Sequence, residues 1–299
     1  MRSPFPSRRS LILCSACSAL PAQAAAAQPA RPRIVASFSI LADMARELAP
    51  EGAEVSALVG PDADAHVFEP SPADGRRLAQ ADLVLVNGLG FEGWIDRLVR
   101  VSGTRGELIV ASDGVQPRRA GPAADPHAWQ DLALARRYVA NLSAAFARRW
   151  PAQQEEIARR QADYLSRIDR LDRQVRDRLA TVPRAQRRVI TSHDAFAYFG
   201  AAYGVDFMAP QAWTTHSEPT AAAVARLVRQ IRAGGVRAVF IENISDRRLV
   251  ERIAREGGAR VGGTLYSDAL SKPGGPADTY LKLFEHNARA LADALASPP

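Results

Sequence analysis

The sequence predicts an α/β protein of two (β/α) lobes with parallel sheets, joined by a long rigid backbone helix. Three observations predict it. Short apolar runs alternate with amphipathic segments from residue 33 onward; the alternation stops between residues 128 and 182, where only helical periodicity remains; and it resumes after Pro183. With 299 residues the chain is long enough for one large core or two smaller ones.

Residues 1–24 stand apart from this rhythm. "MRSPFPSRRSLILCSACSALPAQA" has a basic stretch, a short apolar stretch and an A-x-A cleavage pattern at Ala22-Gln23-Ala24, and reads as an export signal peptide. "SRRSLIL" loosely resembles a twin-arginine signal, although an arginine-rich Sec signal looks much the same. Both cysteines, Cys14 and Cys17, lie inside this segment, and neither sits in a convincing lipobox, which favours a cleaved periplasmic protein over an anchored lipoprotein. The mature chain then has no disulfide and no thiolate, so any metal site must be built from His, Asp and Glu.

The N-terminal α/β lobe is expected over 25–150. Its strands are "RIVAS", "AEVSALV", "DLVLVNG" and "ELIVAS", and its helices "SILADMARELA", "PADGRRLAQ" and "GWIDRLVR". In the next segment, Ile157, Tyr164, Ile168, Leu171, Val175, Leu179 and Val182 recur at three, four or seven residues, one apolar stripe on a helix. Pro151 suits a first helical position, which predicts a linking helix over 151–182, about 48 Å long at 1.5 Å per residue. Such a connector limits hinge opening.

The C-terminal lobe, 183–299, repeats the pattern with "RRVITS", "VDFMAP", "VRAVFIEN" and "ARVGGTLYS" as strands. The intervening helices are "AFAYFGAAY", "AAAVARLVRQIRA" and "DRRLVERIARE". The two blocks can be laid on each other, matching Ser37 to Ser192 and His66 with Glu69-Pro70-Ser71 to His216 with Glu218-Pro219-Thr220. This reads as a weak internal duplication.

The formal charge is +7, and removal of residues 1–24 takes away Arg2, Arg8 and Arg9 but no acid. The arginines mix with acids, as in "RLDRQVRDRL", rather than clustering with aromatics, so no nucleic-acid partner is expected. After the first thirty residues no run of 18 apolar residues occurs to span a membrane.

The chain has five histidines. His193 directly follows the run "RRVIT", His66 follows "AEVSALV" after a short loop, His127 follows "ELIVAS" after a longer one, and Asp268 follows "ARVGGTLYS". Ligands of open α/β sheets bind beyond the carboxyl ends of the strands, so these four side chains fall where a site would form, two from each lobe. Their spacing is no local metal motif, and satisfied loop histidines are the plain alternative. His216 is a loop histidine by default, and His286 in "LFEHNARAL" reads as a surface residue of the last helix.

Four ordered segments, "GPDADAHVFEPSPAD", "DPHAWQD", "TSHDAFAYFGAAYG" and "LYSDALS", with the long helix between them, resemble the cluster A-I metal-binding solute-binding proteins of bacterial ABC importers, the ZnuA/TroA-like group. The resemblance covers nearly the whole mature chain. It implies a metal site in the interlobe cleft and a non-enzymatic role: capture of metal in the periplasm and delivery to a metal-specific ABC permease in the inner membrane. Carried over residue by residue, it implies His66 and His127 as N-lobe ligands and His193 and Asp268 as C-lobe ligands.

Manganese members commonly have a carboxylate at the position matching His193. Three imidazoles and one carboxylate suit tetrahedral zinc, so Zn2+ is expected ahead of Mn2+. Asp125 is a candidate acceptor for the His127 ring N–H, and capping of the following turn is its other possible job. Histidine protonation competes with metal, so affinity is expected to fall as pH drops through the ~6.5 region. Many zinc members carry a histidine-rich loop ahead of the residue matching His127, but "ASDGVQPRRAGPAADP" has none, which makes loading by a periplasmic metallochaperone conceivable. The chain is expected to act as a monomer. The competing readings are a manganese-binding protein of the same fold, a periplasmic zinc hydrolase with Glu69 as its base, and an adhesin. Trp129 and Trp213 are candidate cleft walls or plain packing.

Overall fold

A computed structural model of the protein describes residue 1 and residues 31–296, apart from 121–122, 213–214, 217–218 and 235. The signal peptide, Trp213 and Glu218 lie outside the described residues.

The N-terminal lobe begins with β1 (Arg33–Phe38), α1 (Ser39–Leu48), β2 (Glu54–Val59), α2 (Pro72–Ala79), β3 (Leu83–Val86), α3 (Ile95–Ser102) and β4 (Glu107–Val110). All four strands pair in parallel in the order β2-β1-β3-β4. Strand β3 reads "LVLV" because both faces of a parallel sheet are covered, and every one of its residues is buried. Helix α2 starts on a full capping box: Ser71 accepts from the Asp74 N–H while the Asp74 carboxylate accepts from the Ser71 N–H.

The segment expected to be a loop ahead of His127 folds into a small antiparallel hairpin, β5 (Arg119–Ala120) with β6 (Ala123–Ala124). A single 3-10 turn, Ala128–Gln130, leads into α4 (Leu132–Arg149), capped by the Asp131 carboxylate on the Ala133 N–H at 2.8 Å.

The connector is α5 (Gln154–Ala180), shorter at both ends than the 151–182 expected from Pro151 and the apolar stripe. Pro151 does open the helical segment, but Pro151–Gln153 winds as a 3-10 turn, and the α-helix gives way at Thr181, ahead of Pro183. Its 27 residues span about 40 Å at 1.5 Å each. Ile157, Tyr164, Ile168, Leu171, Val175 and Leu179 are all buried along one side. Arg167 of α5 grips the Glu47 carboxylate of α1 with two nitrogens at 2.7 and 3.0 Å.

The C-terminal lobe contains β7 (Arg188–Ile190), α6 (Ala197–Tyr203), β8 (Asp206–Met208), α7 (Ala221–Arg232), β9 (Ala238–Glu242), α8 (Arg247–Gly257), β10 (Arg260–Leu265) and α9 (Tyr280–Ala296). Its strands are parallel in the order β10-β9-β7-β8. Each sheet thus has its first strand inside, its second strand at one edge, and its third and fourth on the other side. That shared order supports the duplication suggested by the sequence match. One hydrophobic core runs continuously from Ile34 and Leu85 in the first lobe, through Tyr164 and Leu171 of α5, to Phe240 and Leu291 in the second. No described helix is long and apolar enough to cross a membrane.

Candidate metal centre

The structure brings His66, His127, His193 and Asp268 together, all fully buried, with one donor atom from each within 4.8 Å of the others. Each arrives on a loop leaving the carboxyl end of a strand: β2 for His66, β4 with its hairpin for His127, β7 for His193 and β10 for Asp268. His216 follows β8, the counterpart of β2, but is not among the grouped donors. His286 is half-buried rather than on the surface, with Nε2 2.9 Å from the Thr264 carbonyl.

The inward atoms are the three Nε2 nitrogens and the Asp268 carboxylate. His66 Nε2 lies 3.4 Å from His127 Nε2 and 3.2 Å from Asp268 Oδ2; His193 Nε2 lies 3.1 Å from Asp268 Oδ2, and His127 Nε2 3.6 Å from Oδ1. A tetrahedron of zinc bonds near 2.0–2.1 Å has edges of about 3.3 Å, in the middle of this spread. His193 Nε2 and both Asp268 oxygens are buried with no aligned hydrogen-bond partner, so these donors are free to face a cation.

The histidines are oriented from behind. Asp125 Oδ1 accepts the His127 backbone N–H at 3.0 Å and its ring Nδ1–H at 2.8 Å. The sequence left Asp125 open between orienting the ring and capping the next turn; the cap of α4 is Asp131, and Asp125 holds the ring. Glu242, the last residue of β9, stands behind His193: Oε1 accepts its backbone N–H at 2.8 Å, and Oε2 lies 2.8 Å from Nδ1. That second contact is an ion pair bent away from the N–H axis, because neither atom has an aligned hydrogen bond. His66 receives only backbone support, its N–H donating to Asp64 Oδ1 at 2.8 Å, and its Nδ1 has no partner.

These charges decide the protonation states. Burial opposes a charge on His127, but the Asp268 and Asp125 carboxylates overcome it and push His127 up to about 9. Burial likewise opposes charge on His193, and Glu242 with Asp268 raises it well above the usual histidine value. For His66 burial wins and lowers it. Burial would raise Asp268, but His127 and His193 hold it well below the usual carboxylate range. For His127 and His193 the shift is thus above the ~6.5 region expected from the sequence, and for His66 it is below it.

A polar network supports the His127 loop. Asn87, just beyond β3, donates to the Pro126 carbonyl at 2.9 Å and accepts from Tyr138 at 2.6 Å. Buried Glu92 in turn accepts from Ser37 Oγ and the Asn87 N–H, both at 2.6 Å, and from the Gly88 N–H at 3.2 Å. Gly88 has φ +84°, and a Cβ there would stand 2.6 Å from Val110 Cγ1, so this turn requires glycine. Phe38, Phe91 and Trp129 pack ring to ring at 4.8–5.1 Å, and Phe91 and Trp129 reach the rings of His66 and His127 at 4.7 and 5.3 Å. Trp129 is thus a wall of the centre.

Sequence reasoning missed Glu242, Glu92, Asn87 and Phe91. The signal for Glu242 was present, since it ends the strand "AVFIE" as the other site residues follow theirs. Glu69, the candidate hydrolytic base, is exposed and lines a surface groove with Pro72 and Trp94.

The chain and its fold are similar to those of known metal-binding proteins. Residues 34–294 match the family described as "Zinc-uptake complex component A periplasmic". The chain is 30% identical over 266 residues to the manganese-binding lipoprotein MntA of Halalkalibacterium halodurans, covering 88% of each. It is 30% identical over an alignment of 304 residues to the iron-binding protein YfeA of Yersinia pestis, covering 98% of this chain and 97% of that one. Its fold superposes on the periplasmic zinc-binding protein TroA of Treponema pallidum with a TM-score of 0.86 at 28% identity, covering 90% of this chain and all of the other.

Proposed function

The chain belongs to the periplasmic zinc-uptake component A family, non-enzymatic solute-binding proteins of metal ABC importers, and from that premise we propose that its cargo is zinc. It captures Zn2+ in the periplasm and passes it to a metal-specific ABC permease in the inner membrane. His66, His127, His193 and Asp268 are the ligands. Cleavage after residue 24 yields a monomer whose lobes, 25–150 and 183–299, are joined through 151–182.

The observation that carries this reading is the donor set: three imidazole nitrogens and one carboxylate, all buried and within 4.8 Å of one another, a nitrogen-rich four-ligand set that suits tetrahedral zinc. Manganese prefers more oxygen and higher coordination. Four protein donors leave no open position for the water of a hydrolase. A manganese cargo is the second reading, favoured by the similarity to manganese-binding relatives such as MntA. The short histidine-free hairpin before His127 supports loading by a metallochaperone rather than by a collecting loop.

The test is stoichiometry in variants. Purified mature protein is expected to bind one equivalent of zinc, and His66→Ala, His127→Ala, His193→Ala and Asp268→Ala each to weaken it strongly. Full affinity in Asp268→Ala together with its loss in His216→Ala would overturn the ligand set.

A further inference from the structure

We infer that Glu242 is the positioning residue that fixes the aim of His193 and, through it, tilts the centre toward zinc; the second half rests on the zinc reading above. Glu242 is fully buried at the end of a strand whose other residues, Ala238, Val239, Phe240 and Ile241, are apolar. Burying a carboxylate there is costly unless it is paired, and its ion-pair partner is His193.

The grip is double. Oε1 holds the His193 N–H at 2.8 Å and Oε2 stands 2.8 Å from Nδ1, so one carboxylate contacts the backbone and the ring of the same residue. Asp125 does the same for His127 from only two residues away. Glu242 does it from 49 residues away, on the neighbouring strand of the sheet. Burial alone does not produce this arrangement, because His66 is just as buried and its Nδ1 has no partner.

With Nδ1 set against Glu242, Nε2 is the nitrogen left to face Asp268, 3.1 Å away, and its lone pair becomes available to a cation once its proton leaves. Since Nδ1 and Oε2 are close but misaligned, a small turn of the ring onto a bound cation would straighten the contact. A carboxylate behind an imidazole also makes it a stronger nitrogen donor. Zinc gains more from such a donor than manganese does.

The experiment measures Zn2+ and Mn2+ affinities by competition with a fluorescent chelator in the wild type, Glu242→Gln, His193→Ala and the double variant, with circular dichroism to verify folding. Glu242→Gln is expected to lower zinc affinity about 10- to 100-fold and manganese affinity less. In the His193→Ala background it should change nothing further. Zinc affinity within twofold of wild type in folded Glu242→Gln, or equal losses in both backgrounds, would overturn the proposal. Should Glu242→Gln fail to fold, Glu242→Asp replaces it in the same cycle and is judged by the same coupling to His193. A wild type that prefers manganese would sink the zinc reading separately, while the coupling would still decide the role of Glu242.

Discussion

The indole N–H of Trp129 donates to the carbonyl of Ser267 at 3.1 Å, joining the residue two after His127 to the residue before Asp268. Gln130 Nε2 donates to the same carbonyl at 2.7 Å. The loops carrying a ligand candidate from each lobe are therefore tied to one another directly, beside the centre.

Removing the indole's half of that tie while keeping an aromatic ring should loosen the centre without unfolding it. Trp129→Phe is expected to cost about 0.5–1.5 kcal/mol of stability and to release zinc several times faster into excess chelator in a stopped-flow measurement. Trp129→Ala, which empties a fully buried site, should cost about 3–5 kcal/mol in urea unfolding. An unchanged release rate in Trp129→Phe would show that the indole's hydrogen bond does not hold the metal, Gln130 still holding the same carbonyl.

Asp125 and Asp131 divide two jobs. Asp125→Asn is expected to weaken zinc about 10- to 100-fold, since its carboxylate orients the His127 ring. Asp131→Ala should instead cost about 1 kcal/mol of stability through the lost α4 cap and leave affinity alone. Chelator competition and urea titration on both variants check the division, and the reverse pattern would refute it.

Metal binding should expel protons at neutral pH. His127, pushed up to about 9, and His193, well above its usual value, are both protonated at pH 7 before metal arrives, whereas zinc takes neutral imidazoles. Affinity should therefore keep rising with pH toward about 9 instead of levelling off above the ordinary histidine range. Calorimetry at pH 7 in buffers of different ionisation heats should report close to two protons released per zinc, one each from His127 and His193. Heats independent of the buffer would contradict this.

A separate pH effect belongs to Asp43. This carboxyl accepts the Tyr280 N–H at the start of α9 at 2.8 Å, and burial pushes it up to about 6 from an ordinary 3.8. Because the folded value is the higher one, its stabilising contribution is full below about 3.8 and fades as pH rises through 6. Between pH 5 and 7 the metal-free protein should lose on the order of 1 kcal/mol from this group, and Asp43→Asn should lose that step. Urea unfolding of both proteins at pH 5, 6 and 7 measures the difference; parallel curves would rule it out.

Much of this architecture was legible in the chain because parallel strands buried on both faces read as continuous apolar runs. "LVLV" and "AVF" could be placed in sheets, and the Ile157-to-Leu179 stripe in a helix, before any contact was known. The four site candidates were legible for a topological reason: each follows a strand toward the end where such sheets bind ligands. What supports them was not. Glu242 meets His193 only because β7 and β9 lie side by side, and Phe91 meets His66 only because two loops fold over each other. Strand order and loop packing are long-range facts that local patterns do not carry. The helix ends at Gln154 and Ala180 were misjudged for a smaller reason: Pro151 opens a 3-10 turn rather than the α-helix, and the apolar stripe runs on to Val182 after the α-helix has given way at Thr181.

The central claim is that His66, His127, His193 and Asp268 hold one zinc ion. Metal analysis of the purified mature protein after equilibration with equal zinc and manganese tests it most directly. One equivalent of zinc and negligible manganese is the predicted result; stoichiometric manganese retained in the presence of zinc would contradict it.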